Sequence, residues 1–576
     1  MARSHLKRVL LACLGALLLS PTFANPGLLP ADTVLAVGLE GLSEHEARFR
    51  PFIDEFERAG LADSLGRLFG DAADELPDVD QFSSSDFMAA LGDSGWFGLS
   101  VSSSNPLPAL TIVTRPDDHA RGIIQDAMAS LESEPSTQVL TEGAVTFLYL
   151  EMEAEDMGGF VAGLSVTLTD DYFAFSTNPD VMRGVLRRAA GAAEPSLETA
   201  VGYSEAAAIV GSGNVHTYVD IAALGTIVNR FARPFAVEFG VGGVLTELVT
   251  VLETLGVSAT SATITAGGVE TTSVQLIREG NDSLRSLLLD RGTASRDALA
   301  FVPEDALSVS VGMSSADGWW SYLNEVLARY PELGIPSLDM FFQSFVGIDI
   351  RVGFLNWVGE EFATITTGVP AVAEPGIASD NLLGEALYLF RTSDDTGARS
   401  GLGTLMQTVG NMVAMFGSLN SSTAQPMVTT RDVAGVTIQT LDVTDGLVVS
   451  WAVTDGFVLV STDNTSIEAG LQARATGEQA NALLLELLDQ VPASVAGFMA
   501  SDDRQTYTAL ASQLPVQLQT VAGLSGGDLD FDALDSATAG MTEFLLFVAG
   551  RMEGSYGYTV IEGDVIRSFG SSRIDW

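Results

Sequence analysis

The sequence repeats itself in order, and that repetition constrains the fold more than any single motif. Thr169-Asp170-Asp171-Tyr172-Phe173-Ala174-Phe175-Ser176-Thr177-Asn178 returns 285 positions later as Thr454-Asp455-Gly456-Phe457-Val458-Leu459-Val460-Ser461-Thr462-Asp463. Both segments read as a turn, an apolar strand and a polar helix start, with helices expected over 181–190 and 467–475. Pro30-Ala31-Asp32 precedes an alternating strand, as Pro303-Glu304-Asp305 precedes Leu307, Val309 and Val311. The stretch 110–115, followed by Asp117-Asp118, matches 387–391, followed by Asp394-Asp395. Gly92-Asp93 and Gly359-Glu360 each stand before a strand. The order is the same in both halves, so one folding solution is expected twice, joined near 292–300.

Between these echoes the periodicity alternates in kind. Segments 146–151 and 436–443 alternate or run apolar with β-branched residues, whereas 44–68, 244–255 and 319–330 carry apolar positions at helical spacing. Weaker strand–turn–helix echoes at 214–223 and 493–508 subdivide each half. Many strands are adjacent, which argues against a doubly wound parallel sheet. The expected class is α+β: two tandem, similar lobes of mainly antiparallel sheet backed by helices, the first over 25–295 and the second over 296–576.

Residues 1–24 read as an export signal. Arg3, Lys7 and Arg8 precede an apolar run over 9–19, Ser20-Pro21 breaks it, and Thr22-Phe23-Ala24 offers a cleavage site after Ala24. Leu11-Ala12-Cys13 has the shape of a lipoprotein box, but only four apolar residues precede Cys13 and the run continues past it. The expected location is periplasmic or extracellular. Lys7 and Cys13 are the only lysine and cysteine, so the mature chain has neither. That removes disulfides, thiolate metal sites, cysteine nucleophiles and lysine Schiff bases. It leaves 25 basic against 74 acidic residues, a formal charge of −49. Nucleic acid and anionic lipid need a basic patch and are not expected as partners. The stretch 402–419 is too short and too polar for a second membrane span. The terminal Trp576 alone does not make an outer-membrane barrel, since the chain lacks serial ten-residue alternating strands.

Three segments carry a family resemblance. They are Leu29-Pro30-Ala31-Asp32 opening a strand, Gly347-Ile348-Asp349 with the later Phe354-Leu355-Asn356-Trp357-Val358-Gly359-Glu360-Glu361-Phe362-Ala363, and Val453-Thr454-Asp455-Gly456-Phe457-Val458-Leu459-Val460-Ser461-Thr462. Together they resemble the bacterial exported family called domain of unknown function 3352, over nearly all of the mature chain. The Gly92-Asp93 copy departs from the fuller pattern. The resemblance implies an envelope or secreted location and no catalytic residue.

Motifs with chemical content are few. Gly92-Asp93-Ser94-Gly95 has the form of a trypsin-like nucleophile loop, but no histidine sits in a general-base motif and the second copy has Glu361 where this one has Ser94. His45, His119 and His216 are far apart and none has a partner at i+4. Gly211-Ser212-Gly213 lacks the third glycine of a dinucleotide loop. Asp528, Asp530, Asp532 and Asp535, and separately Asp78, Asp80 and Asp86, are candidate calcium ligands without the glycine and distal glutamate of an EF-hand. Met406, Met412, Met415 and Phe416 make an adaptable apolar stripe, either a helix face buried on its own sheet or one wall of a cleft for a lipid or other apolar ligand.

The leading expectation is an exported envelope protein with a structural or binding role, no catalytic residues and no cofactor. The alternatives are a periplasmic carrier of an apolar ligand and a hydrolase using carboxylates alone, such as a glycosidase. One physical consequence follows from charge. Self-repulsion among 74 acids reaches across the surface at 0.01 M salt, where the Debye length is about 30 Å, and only between adjacent groups at 1 M, where it is about 3 Å. The thermal midpoint is expected to rise substantially between 0.01 and 1 M sodium chloride. A flat or falling midpoint in a calorimetric salt series would mean that arginines compensate the acids locally.

Overall fold

The computed structural model describes residues 26–61, 94–101, 108–116, 118–151, 163–238, 242–331, 334–368, 385–419, 427–444, 447–477, 481–525 and 531–576. The chain is α+β and divides into two compact units. One comprises residues 1–232, 249–278 and Trp576; the other comprises 233–248 and 279–575.

The first unit contains β1 (Thr33–Glu40), β2 (Ser94–Ser100), β3 (Ala109–Thr114), β4 (Thr137–Glu142), β5 (Val145–Glu151), β6 (Gly163–Leu168), β7 (Phe173–Ser176), β8 (Val215–Asp220), β9 (Val257–Thr265) and β10 (Gly268–Leu276). Their antiparallel pairings give the order β10-β9-β8-β1-β2-β3-β7-β6-β5-β4. The second unit contains β11 (Ser308–Met313), β12 (Val358–Gly368), β13 (Glu385–Thr392), β14 (Met427–Val433), β15 (Val436–Thr444), β16 (Leu447–Thr454), β17 (Phe457–Ser461), β18 (Gly497–Ser501), β19 (Met552–Glu562) and β20 (Val565–Ile574). Its order is β20-β19-β18-β11-β12-β13-β17-β16-β15-β14, again antiparallel throughout. The two orders are identical, strand for strand. The echoes at 214–223 and 493–508 occupy one place in this scheme, β8 and β18 with their following helices, so they equate the halves and do not subdivide them.

Helices recur at the same steps. Glu46–Arg58 follows β1 as Ala316–Arg329 follows β11; Asp118–Glu132 follows β3 as Asp395–Leu419 follows β13; Pro179–Ala189 follows β7 as Asn464–Thr476 follows β17. The last pair shows why the sequence folds this way locally. Asn178 caps the first helix by accepting from the backbone amides of Asp180 and Val181, and Asp463 caps the second by accepting from that of Ser466. Ser176 and Ser461, each fully buried, accept from the amide of that same cap residue at 3.3 and 3.2 Å. Before β17, Asp455 and Gly456 have φ of 53° and 75°, the left-handed pair of a tight hairpin turn, which is why Asp-Gly stands there.

Each sheet is covered on both faces around the β7 or β17 position. In the first unit Ile112, Leu148, Val166, Phe173 and Phe175 pack with Ile124 and Leu131 of the helix Asp118–Glu132, while Met182, Val185 and Leu186 of Pro179–Ala189 are buried as well. In the second, Trp451, Val453 and Val458 pack with Ala398 and Leu402 of Asp395–Leu419, while Leu387, Leu459 and Phe457 pack with Ile467 and Leu471 of Asn464–Thr476. Each buried Phe or Leu contributes about 1.5–3 kcal/mol, and this burial does the work that disulfides do elsewhere. Met406 is half-buried and packs on the Trp357–Trp451 cluster. Met412 is also half-buried, and the side chains of Met415 and Phe416 lie outside the described set.

The motif reading misplaces one strand start: Gly359 and Glu360 lie inside β12, not before it. Asp220 and Asp502 start equivalent helices, so Val219 opposite Leu35 answers to Ser501 opposite Ser308. In that register Glu40 pairs with Ser94 and Met313 with Glu361, so Glu361 stands where the first copy has Ser94. One glycine in each unit faces a ring across the ladder. Gly38 lies opposite Trp96, and Gly312 lies opposite Phe362. A Cβ on Gly38 would fall 2.5 Å from the Trp96 indole, and one on Gly312 would fall 2.9 Å from the Phe362 ring. The two glycine–ring pairs stand at neighbouring rungs, since Val311 is the equivalent of Gly38, and the Trp96 ring is buried while the Phe362 ring is exposed. Gly38→Val should therefore cost roughly 1–3 kcal/mol by overpacking around the buried Trp96. Denaturant titration checks it, and an unchanged midpoint would show that the indole has room to move aside.

Candidate functional site

A cleft of about 430 Å³ opens in the second unit, lined by Arg399, Thr437, Gln439, Trp451 and Thr454 among others. The helix Asp395–Leu419 positions its charged wall. Asp394 accepts from the amide of Gly397 at 2.8 Å and fixes the helix start. One turn on, Arg399 donates to the Val453 carbonyl at 3.0 Å and lies 3.8 Å from Asp395. β16 supplies the floor. Its alternation sends Ser450 to one face, where it donates to Asn464 at 2.6 Å, and Trp451 to the face of the Leu402 helix. Trp451 is 2% exposed, and its indole N–H is buried without an acceptor among the described residues. The lining offers a guanidinium, an amide, hydroxyls and an indole but no nucleophile–base pair. Such a set binds hydrogen-bond acceptors and does not by itself move protons in a reaction.

The first unit holds the same latch without the same cleft floor. Arg121, on the matching helix, donates to the carbonyls of Thr169 at 2.6 Å and Asp170 at 2.9 Å, at the end of β6. Val166 of β6 occupies the place of Trp451 of β16, since both pair toward β7 or β17 at equivalent positions. A second hollow, about 450 Å³ in the second unit, includes Asp282, Arg285, Ser286, Asp290 and Asp564. Two of its three aspartates are engaged: Arg285 donates to Asp564 at 2.7 Å and Ser286 to Asp290 at 2.7 Å.

The residues singled out by sequence do not converge. Ser94 begins β2 opposite Glu40, and Gly92-Asp93 lie outside the described residues. His216 shares a hydrogen bond of 3.0 Å with the Gly213 carbonyl oxygen, lies 3.9 Å from Glu40 and stacks on Trp96 at 6.0 Å. His45 pairs with Arg48 at 3.0 Å, and His119 lies on the helix Asp118–Glu132. Asp528 and Asp530, and all of Asp78, Asp80 and Asp86, fall outside the described residues; Asp532 and Asp535 lie on the helix Phe531–Arg551, Asp535 exposed. Among the described residues no group of three or more His, Cys, Asp or Glu is arranged to hold a metal ion. Nor is any described helix long and apolar enough to cross a membrane. Trp576 stacks edge-on against Phe49 and Phe52, at 5.6 and 6.1 Å, and donates to the Thr265 carbonyl at 2.9 Å.

Sequence reasoning missed the buried carboxylates. Glu247 accepts from Tyr322 at 2.9 Å, Asn281 at 3.3 Å, Arg329 at 2.8 Å and Tyr330 at 3.3 Å. Burial, with this hydrogen bond, pushes the Tyr322 phenol up to about 12. Glu361 accepts from the Ser295 amide at 2.8 Å and its hydroxyl at 2.9 Å. Asp502 accepts from Asn481 at 3.1 Å and from the Gln505 amide at 3.0 Å, capping the helix Asp503–Ser525. Asp220 does the same for Ile221–Glu238, through the Ala223 amide at 2.9 Å, and this Asp at a strand's end was the one available signal. These carboxylates anchor backbone and helices. None of them lines either cleft.

No family model matches the chain, and no curated protein matches it. Two solved structures give partial likenesses. Crystal form III of TP0453 aligns over 47% of this chain and 89% of that one at 8% identity, with a TM-score of 0.23. Crystal form I of TP0453 aligns over 48% and 89% at 9% identity, with a TM-score of 0.22. Likenesses this slight carry no argument about fold or function.

Asp503 yields a pH test. Burial pushes its carboxyl above the ordinary 3.8; hydroxyls of Ser501 and Ser555 donate to it and oppose the shift, and Asp502 adds to it. The folded state therefore holds this proton more tightly than the unfolded chain. Its contribution to stability is complete below the ordinary value and is lost as pH rises through the folded one. Asp503→Asn should raise the thermal midpoint at pH 7, with the gain shrinking to nothing below about pH 4. A gain independent of pH would place its cause outside this titration.

Proposed function

We propose that this chain is an exported protein of the cell envelope that acts by binding and not by turnover, in keeping with its resemblance to the exported family of domain of unknown function 3352. The carrying observation is how its buried carboxylates are used. Glu247, Glu361 and Asp502 are each held by donors of their own fold, and the cleft beside Trp451 has no carboxylate among its described lining residues. A carboxylate-only hydrolase needs two acids free to act in a shared cleft; the hollow that holds Asp282, Asp290 and Asp564 engages two of its three with Arg285 and Ser286. The Arg399–Trp451 cleft suits a small molecule that presents hydrogen-bond acceptors, and no described observation favours the apolar-carrier alternative over it. Residues 1–24 supply the address.

Two measurements test the reading. Protein recovered from the outside of an exporting cell should begin at Asn25 when its N-terminus is sequenced. Material that retains residues 1–24 in the cytoplasm would sink the export half. A screen of generic ester, phosphate, peptide and glycoside substrates should give no turnover above background, and robust turnover on any of them would sink the binding half.

A further inference from the structure

The helix Ile221–Glu238 and the helix Gly242–Leu255 follow one another with three residues between them. Within 233–248, which belongs to the second unit, Phe235 is 64% exposed, Val237 69%, Val244 44% and Leu248 46%. These four exposed apolar side chains gather at the end of one helix and the start of the next, around the junction and not along one helix face. Arg233 is exposed beside them and has no hydrogen-bond or ion-pair partner among the described residues. The surrounding sequence is also unlike the rest of the chain. Residues 221–248 hold Arg230 and Arg233 against Glu238 and the buried Glu247, in a protein with 74 acidic and 28 basic residues. The duplicate helices Asp503–Ser525 and Phe531–Arg551 take the opposite course, with Asp528, Asp530, Asp532 and Asp535 at the corresponding junction. Two copies of one scaffold have diverged here, one toward acid and the other toward apolar and cationic side chains.

We propose that the helix junction around Phe235 docks onto a zwitterionic phospholipid bilayer surface, Phe235, Val237, Val244 and Leu248 entering the headgroup–acyl boundary and Arg233 meeting lipid phosphate. Charge complementarity decides the occupant. An exposed guanidinium one turn from Val237, at a helix end that also exposes Phe235, matches a surface that is phosphate outside and hydrocarbon beneath. The acidic body repels an anionic surface, so the neutral bilayer is the one this junction fits. No described helix crosses a membrane, so the contact is interfacial. The inference deepens the envelope reading and rests on it for its biological setting, but not for its test, because vesicles are added to purified mature protein.

Flotation with phosphatidylcholine vesicles at physiological salt is the experiment. The wild-type protein should float with the vesicles. The double variant Phe235→Ser/Val244→Ser should lose about tenfold or more of its partition, as expected for withdrawing two apolar side chains. Phe235→Leu should keep it, and Arg233→Gln should lower it severalfold. These side chains are exposed, so circular dichroism and thermal midpoints should match the wild type. A second readout avoids any dependence on the double variant: Val237→Cys in the cysteine-free mature chain, labelled with an environment-sensitive dye, should shift to the blue when vesicles are added. A wild-type protein that stays at the bottom of the gradient, a Ser variant that floats equally, a silent dye or an Arg233→Gln variant that binds as wild type would overturn the proposal. So would a wild-type dimer that ignores vesicles and dissociates on Phe235→Ser, since the face would then belong to a second copy. Failure here leaves the start at Asn25 and the absence of turnover standing, and failure of either of those leaves the vesicle result standing.

Discussion

The first strand of each unit is an inner strand, and this one constraint orders everything else. β1 lies between β2 and β8, with Leu35 opposite both Leu99 and Val219, and β11 lies between β12 and β18, with Val309 opposite both Ile365 and Ala500. Each ladder therefore closes only when a strand almost 200 residues later comes home. Contacts of that sequence separation are entropically expensive and slow to form. No disulfide within the chain shortens the search, since it has a single cysteine. Local devices must hold the intermediate pieces together. The serine-to-cap hydrogen bonds at Ser176–Asn178 and Ser461–Asp463 are such devices, since they fix a strand end and a helix start within three residues.

Much of this was legible because the chain states it twice. The 285-residue echo located β7 and β17, their helices and the residues that cap them, and it did so through turn chemistry and alternation rather than through overall similarity. What failed was strand extent. Motif matching paired Ser94 with Glu361, and the ladders agree, since Glu40 opposite Ser94 answers to Met313 opposite Glu361. It placed Gly359 and Glu360 before β12, but that strand begins at Val358, because pairing with a neighbour and not the local motif decides where a strand starts. The buried carboxylates were illegible for a related reason. Glu247 looks like any helix-surface glutamate until Tyr322, Asn281 and Arg329, more than 30 residues away, arrive around it.

The candidate sites lie where the copies disagree. Arg121 and Arg399 perform the same latch, holding a helix to the end of β6 or β16, so an arginine there is part of the scaffold. The tryptophan in β16 is not, because β6 has Val166 in its place. An indole buried without an acceptor is a local cost of about 1–3 kcal/mol that the valine copy avoids. The first unit carries a buried indole of the same kind at Trp96 on β2, so the cost alone does not mark Trp451. What distinguishes it is its place in the cleft wall, where the other copy has valine.

The same comparison separates two uses of charge. Where acids serve the fold, as at Asp220 and Asp502, both copies keep them at the same step and aim them at backbone amides. Elsewhere acids are free to vary, and in the sequence at the paired helix junctions they do: one junction gathers aspartates and the other is poor in acid while exposing Phe235 and Val237. A genome bias toward acidic residues acts on both junctions alike and does not produce opposite outcomes at equivalent places. The acid-poor junction is therefore a departure from the protein's own rule. Exposed apolar area on an otherwise heavily charged surface is stable in water only at a cost in solubility, which a contact surface recovers when it is covered.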